Sequence, residues 1–79
     1  MSQQVLTAAK FITFLRNHKE EIRELYTTKY EEKGMWYGML NAALEVLQKD
    51  KTFETDQVTV FTLGDLLRET PHYTNPSIR

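Results

Sequence analysis

The sequence predicts an all-α fold, a small helical bundle built on a long antiparallel helical hairpin with a short C-terminal helix and an extended tail. Three observations predict it. Apolar residues recur at helical spacing from Val5 to Lys33. The strongest stripe in the chain, Trp36, Leu40, Ala43 and Leu47, follows at once. Between the two stands Lys33-Gly34, where a glycine suits the left-handed conformation that closes many helices and lets the chain reverse.

The first helix is expected over about residues 4–33, with Ala8, Phe11, Ile12, Leu15, Ile22, Leu25 and Tyr26 as its apolar positions. At about 100° per residue, Phe11, Leu15, His18, Ile22, Leu25 and Tyr26 share one face of a continuous helix, and Glu20, Glu24 and Glu31 share the other. That agreement of phase favours one long helix. The competing reading is a break at Asn17, because Asn17-His18-Lys19-Glu20 resembles a cap residue followed three positions later by Glu.

The second helix is expected over about residues 35–49, its stripe widened by Met39 and Leu44. Gly38 inside it costs about 1 kcal/mol relative to Ala, which suggests the close approach of a neighbouring backbone. Residues 50–61 are expected to be a connector. It begins in the polar run Gln48-Lys49-Asp50-Lys51-Thr52 and continues through Phe53, Val58, Val60 and Phe61, which favour β-structure by type but are too few for a sheet. Thr62-Leu63-Gly64-Asp65 resembles a capping box with Asp in place of Glu, opening a short helix over about residues 63–70 that Pro71 ends. The tail, residues 71–79, has two prolines and little to bury, although Asn75-Pro76 has the form of a helix start.

A chain of 79 residues fits a single domain and, at this size, buries only about 60% of the surface its unfolded form exposes. There is no cysteine to staple it, so self-association as a homodimer is the cheapest supplement. The same lack removes thiol catalysis and cysteine zinc sites, and leans towards a reducing, cytoplasmic compartment. No run approaches the roughly 18 apolar residues of a membrane span, and no signal-like segment opens the chain. With 10 Lys+Arg against 11 Asp+Glu, the net charge of −1 provides no global field for nucleic acid or an anionic membrane.

No catalytic residue is expected. The serines, Ser2 and Ser77, lie near the ends without a base and an orienting partner, and His72 falls in the tail. His18 on the apolar face reads as structural or interfacial. His18 and Glu21, three apart on a helix, lack the further ligands a metal needs, and Gly34, Gly38 and Gly64 are too scattered for a phosphate loop. Neither metal nor cofactor is therefore expected.

Two surfaces remain as contact candidates. Trp36, Tyr37 and Tyr30 would serve a protein partner: Trp36 and Tyr37 point about 100° apart, so one is buried while the other extends outward near Tyr30. Arg16, Lys19, Arg23 and Lys33, with Tyr26 and Tyr30 interleaved, lie along one flank of a continuous first helix and would serve nucleic acid or a nucleotide, weakened by the acidic flank beside it. A helix-turn-helix over residues 62–79 is disfavoured because its second helix would be too short to read a groove. The expected function is a small non-enzymatic protein-binding module, an inhibitor or adaptor that occludes a partner's surface. Accessory proteins of phages and other mobile elements have this form by analogy only.

Overall fold

The computed structural model describes residues 3–69. The residue 70 end of the last helix, the tail with His72 and Tyr73, Ser2, Ser77 and the second half of the helix-turn-helix reading lie outside the described residues. Among those described the fold is all-α. Four helices, α1 (Ala8–Asn17), α2 (Lys19–Leu25), α3 (Met35–Asp50) and α4 (Val60–Glu69), are accompanied by a π segment at Tyr26–Tyr30 and a 3₁₀ turn at Glu31–Lys33. Among the described residues there is no strand, only one isolated parallel bridge between Gln4 and Phe53.

That bridge moves the start of the first helix. Gln4 N–H donates to the Thr52 carbonyl at 3.0 Å, and the Gln4 carbonyl accepts from Glu54 N–H at 2.8 Å. Residue 4 is thus extended, and the helix begins only at Ala8. Thr7 caps it with its side-chain oxygen, which accepts from Lys10 N–H at 3.3 Å.

The single long first helix is also corrected. His18 leaves the helical conformation (φ −115°, ψ 24°) and separates α1 from α2, the break that Asn17-His18-Lys19-Glu20 allowed. The physical reason is that the two halves have different neighbours: α1 packs on α4, whereas α2 packs on α3. One straight cylinder could not serve both. The inward positions change accordingly, because Phe14, absent from the continuous face, is buried with Phe11, while Leu15 is only half-buried. Phe14 meets Phe53 edge-on at 6.2 Å and stacks on the His18 ring at 4.2 Å.

α3 carries the centre of the core. Leu40, Ala43 and Leu47 are buried as their spacing predicts, together with Ala42 and Val46. Burying a leucine of this kind contributes about 2 kcal/mol. Gly38 faces the π segment, and a Cβ placed on it would stand 2.5 Å from the Tyr30 carbonyl oxygen and 2.7 Å from the Tyr26 ring. The expected close backbone approach is therefore present. On the same segment Thr28 Oγ1 donates to the Glu24 carbonyl at 2.8 Å and Thr27 Oγ1 to the Arg23 carbonyl at 3.2 Å. Such back-bonding occupies the carbonyls of the preceding turn and favours a bend.

Gly34 joins the 3₁₀ turn to α3 at φ 88°, ψ 163°, a conformation in which a side chain is strained. α3 closes on Lys51 at φ 63°, the one left-handed non-glycine residue among those described. α4 starts three residues earlier than the Thr62–Asp65 box suggests. Thr59 and Thr62 cap it reciprocally, Thr62 Oγ1 accepting from Thr59 N–H at 3.2 Å and Thr59 Oγ1 from Thr62 N–H at 3.3 Å. Val60 and Phe61, placed in the connector by residue type, thus form its first turn, and Leu63 and Leu67 face the core. Asp65 pairs instead with Arg68 at 3.0 Å. No helix of the described residues is long and apolar enough to cross a membrane.

Two substitutions test these backbone assignments. Gly38→Ala forces a methyl group against an immovable carbonyl and is expected to destabilise by about 2–4 kcal/mol in urea unfolding. Gly64→Ala, whose new Cβ meets only ordinary contacts of 3.7 Å or more, should be neutral or stabilising by up to about 1 kcal/mol. Equal effects would place the close approach elsewhere. Lys51→Gly relieves the left-handed cap and should raise the unfolding free energy by about 0.5–1 kcal/mol, read from the urea midpoint.

Candidate functional site

Helical geometry sorts the aromatic residues into those the fold consumes and those it leaves outside. Trp36 is half-buried and lies over Gly64 of α4, since a methyl there would stand 3.8 Å from its Cζ2. Tyr30 is half-buried and donates its hydroxyl to Glu45 Oε1 at 2.6 Å. Tyr26 is half-buried against Gly38. Tyr37, one residue beyond Trp36, points away from the core and is 47% exposed.

The neighbour of Tyr37 is Phe61. Their ring centroids stand 6.4 Å apart at an interplanar angle of 70°, an edge-to-face pair across the α3–α4 boundary. Phe61 is 72% exposed, and Met35 in the first turn of α3 is 66% exposed. Residue type alone placed Phe61 in the connector, and neither it nor Met35 was singled out as a contact residue. The signal that locates Phe61 is the Thr59/Thr62 cap: once α4 begins at Val60, the inward positions Val60, Leu63 and Leu67 leave position 61 on the outside.

The charged candidates are arranged differently from a single flank. Arg16 closes α1, Lys19 and Arg23 belong to α2, and Lys33 lies in the 3₁₀ turn, so the break at His18 removes the continuous helix on which they were aligned. All four are exposed, and none has an ion-pair partner among the described residues. Neither Arg16-Glu20 nor Glu20-Arg23 pairs.

One polar cluster joins the π segment to α3. Glu45 Oε1 accepts both the Tyr30 hydroxyl and Lys29 Nζ, the latter at 2.9 Å. The bond from Tyr30, reinforced by that from Lys29, holds the Glu45 carboxyl below the usual range. The Tyr30 phenol is raised, first by its bond to Glu45, then by burial and by the Glu45 charge. Lys29 is raised by its bond to Glu45 and by that carboxylate's charge.

A second, looser network sits at the helix break. His18 Nδ1 and Glu21 Oε1 are 3.4 Å apart, and Glu21 Oε2 accepts from Lys49 at 3.4 Å. Glu21 is thereby engaged by a cation, and among the described residues no three His, Cys, Asp or Glu side chains are grouped to hold a metal. Beside this network an open groove of about 490 Å³ has Phe14 and Phe53 among its walls, with Lys10, Asn17 and Asp50 at its edge. Its hydroxyls are committed internally, Thr13 to the Ala9 carbonyl at 3.2 Å and Thr52 to Asp50.

Set beside known protein families, characterised proteins and solved structures, the chain matches no family model, no protein and no structure.

The Glu45 cluster has a defined pH dependence. Glu45 is depressed below its ordinary 4.5, so its contribution is complete above that value and is lost as pH falls through the depressed one. Tyr30 is raised above 10.0 and Lys29 above 10.5, so their contributions hold below those values and fade as pH rises through the raised ones. The stability gap between wild type and Glu45→Gln, measured by urea unfolding, should be flat from about pH 5 to 9 and shrink below about pH 4. A gap that widens on acidification contradicts this sign.

Proposed function

We propose that this chain is a small non-enzymatic protein-binding module whose partner covers Tyr37, Phe61 and Met35. The observation that carries the reading is the exposed edge-to-face pair of Tyr37 and Phe61. Tyrosine, phenylalanine and methionine are residue types enriched at the centres of protein interfaces, where they fill pockets and exclude water. A 72%-exposed phenylalanine adds little to the fold by its burial, and covering it would supply apolar area to an association. The module acts by occupying a partner's surface, as an inhibitor or adaptor, in the cytoplasm, with a homodimer as its assembled form.

The same reading treats the two helical arms as an antiparallel hairpin. Three pairs support that arrangement: Glu21 with Lys49, Lys29 and Tyr30 with Glu45, and Tyr26 and Tyr30 with Gly38. From Glu21 with Lys49 to Tyr30 with Glu45 and Gly38, an advance along the first arm is a retreat along α3.

A second reading, binding of nucleic acid or a nucleotide through Arg16, Lys19, Arg23 and Lys33, is favoured by the lack of ion pairs at those four cations. Against it stand Glu20, Glu24, Glu31 and Glu32, exposed on the same segments and equally without an ion pair among the described residues.

The two readings separate in one experiment. A photo-crosslinking residue placed at Tyr37 or at Phe61, in the cells that make the protein, should yield a protein adduct identifiable by mass spectrometry, whereas the same label at Lys51 should not. Phe61→Asp should abolish the adduct formed from position 37 while changing stability by no more than about 0.5 kcal/mol, because the side chain is exposed. In extracts, the adduct should persist when salt rises from about 50 to 200 mM, the range over which polyanion binding weakens steeply. Adducts with nucleic acid from Lys19 or Arg23, lost at that salt, would replace the first reading by the second.

A further inference from the structure

A π turn is rare and is used in single turns inside α-helices, so a segment that adopts one is maintained by something outside itself. At Tyr26–Tyr30 three features bear on it. Gly38 permits the wide turn by leaving room for the Tyr30 carbonyl and the Tyr26 ring, but missing atoms exert no pull. The hydroxyls of Thr27 and Thr28 bond to carbonyls of the preceding turn, an arrangement equally available in an α-helix. Tyr26 and Tyr30 pack against the core, and among the described residues Glu45 is the side chain of another element that hydrogen-bonds to the segment, through Tyr30 at 2.6 Å and Lys29 at 2.9 Å.

That pull is also reachable. The side chains of Glu45 and Lys29 are 35% and 56% exposed, so an incoming cation competes for the carboxylate directly. Downstream there is room to move: nothing stands within 4 Å of the position a Gly34 Cβ would take.

We propose that the π segment is a two-register element held in its wide form by Glu45, and that release of Glu45 converts it to the α register. The conversion removes one residue from the turn, a shift of about 1.5 Å that the Glu31–Lys33 turn and Gly34 pass on to the exposed start of α3, while Leu40 and the residues after it stay in the core. Met35 and Tyr37 stand there. A lysine or arginine competing with Lys29 for Glu45 is the chemistry that throws the switch, and the exposed aromatic surface is what it alters. The consequence for binding rests on the reading of Tyr37 and Phe61 as the contact surface, whereas the register change itself does not.

The test uses the free full chain and nuclear magnetic resonance correlations across hydrogen bonds, which identify the carbonyl that each amide uses. In the wild type, the amides closing the π segment are expected to pair with carbonyls five residues back. In Glu45→Ala the acceptor should move to four residues back, with the α form gaining about tenfold in population, roughly the strength of one charge-assisted hydrogen bond. The ring signals of Tyr37 and Phe61 should shift as well, while the amides of α4 keep their acceptors. Tyr30→Phe, which leaves Lys29 in place, should give an intermediate population.

Five-residue acceptors retained in both variants would overturn the proposal. So would changes that spread to the α4 amides, which would make Glu45 a general anchor of the fold. A register change with unmoved Tyr37 and Phe61 signals would overturn the coupling to that surface. None of these spectra involves a partner, so a failed crosslink at Tyr37 and a failed register change are separate results.

Discussion

Gly38 has no side chain, and into the space where one would project come the Tyr30 carbonyl and the ring of Tyr26. Much of the fold depends on that approach. It sets the distance between the first helical arm and α3, and it makes room for the wide turn at Tyr26–Tyr30. With the backbone so placed, Tyr30 reaches Glu45 and its hydroxyl becomes part of the join between the two elements. The turn that follows brings the chain to Gly34 in a conformation that only glycine adopts freely, and α3 begins at the surface. A helix-interior glycine costs about 1 kcal/mol in propensity, and the contact it allows offsets that cost.

From this geometry the division between inside and outside follows. α3 turns Leu40, Ala43 and Leu47 towards the core, and α4 answers with Leu63 and Leu67. Phe14 and Phe53 close the far side, pinned by the bridge at Gln4. With those faces filled, three large apolar residues of α3 and α4 are turned outward: Tyr37 and Phe61 meet each other in water, and Met35 lies uncovered in the first turn. Interiors are close-packed and do not absorb an extra ring by loosening. Area left in water in this way becomes useful when a partner removes it. The charged surface works in the opposite sense, because the cations at Arg16, Lys19 and Arg23, which have no ion pair among the described residues, alternate with acids, and such mixed charge builds no strong field.

Particular residues show how far the sequence could be followed. The stripe Leu40, Ala43 and Leu47 was legible because spacing alone places these residues on one face. Gly38 was legible because a helix seldom keeps a glycine without a packing reason. The break at His18 was visible as a pattern at Asn17-His18-Lys19-Glu20, yet the phase of the apolar residues favoured continuity. Only the different partners of α1 and α2 decide between them. Phe61 was misplaced because its residue type suits an extended chain, and a reciprocal threonine cap outweighs that preference. The site depended on that correction, since without α4 starting at Val60 there is no outward position beside Tyr37.

The sequence by itself determined that the chain is helical, where the polar stretches interrupt it, and which residues of α3 are too apolar to remain in water. These are properties of neighbours a turn apart, and periodicity records them along the chain. Only the tertiary structure decided where the first arm bends, that Tyr26–Tyr30 takes the wide turn, that Gln4 pairs with Phe53, and that Tyr37 meets Phe61. Each of those outcomes is a contact between segments distant in sequence. Such a contact is fixed by the room and the hydrogen-bonding groups that one segment offers another, and the pattern along either segment alone does not contain it.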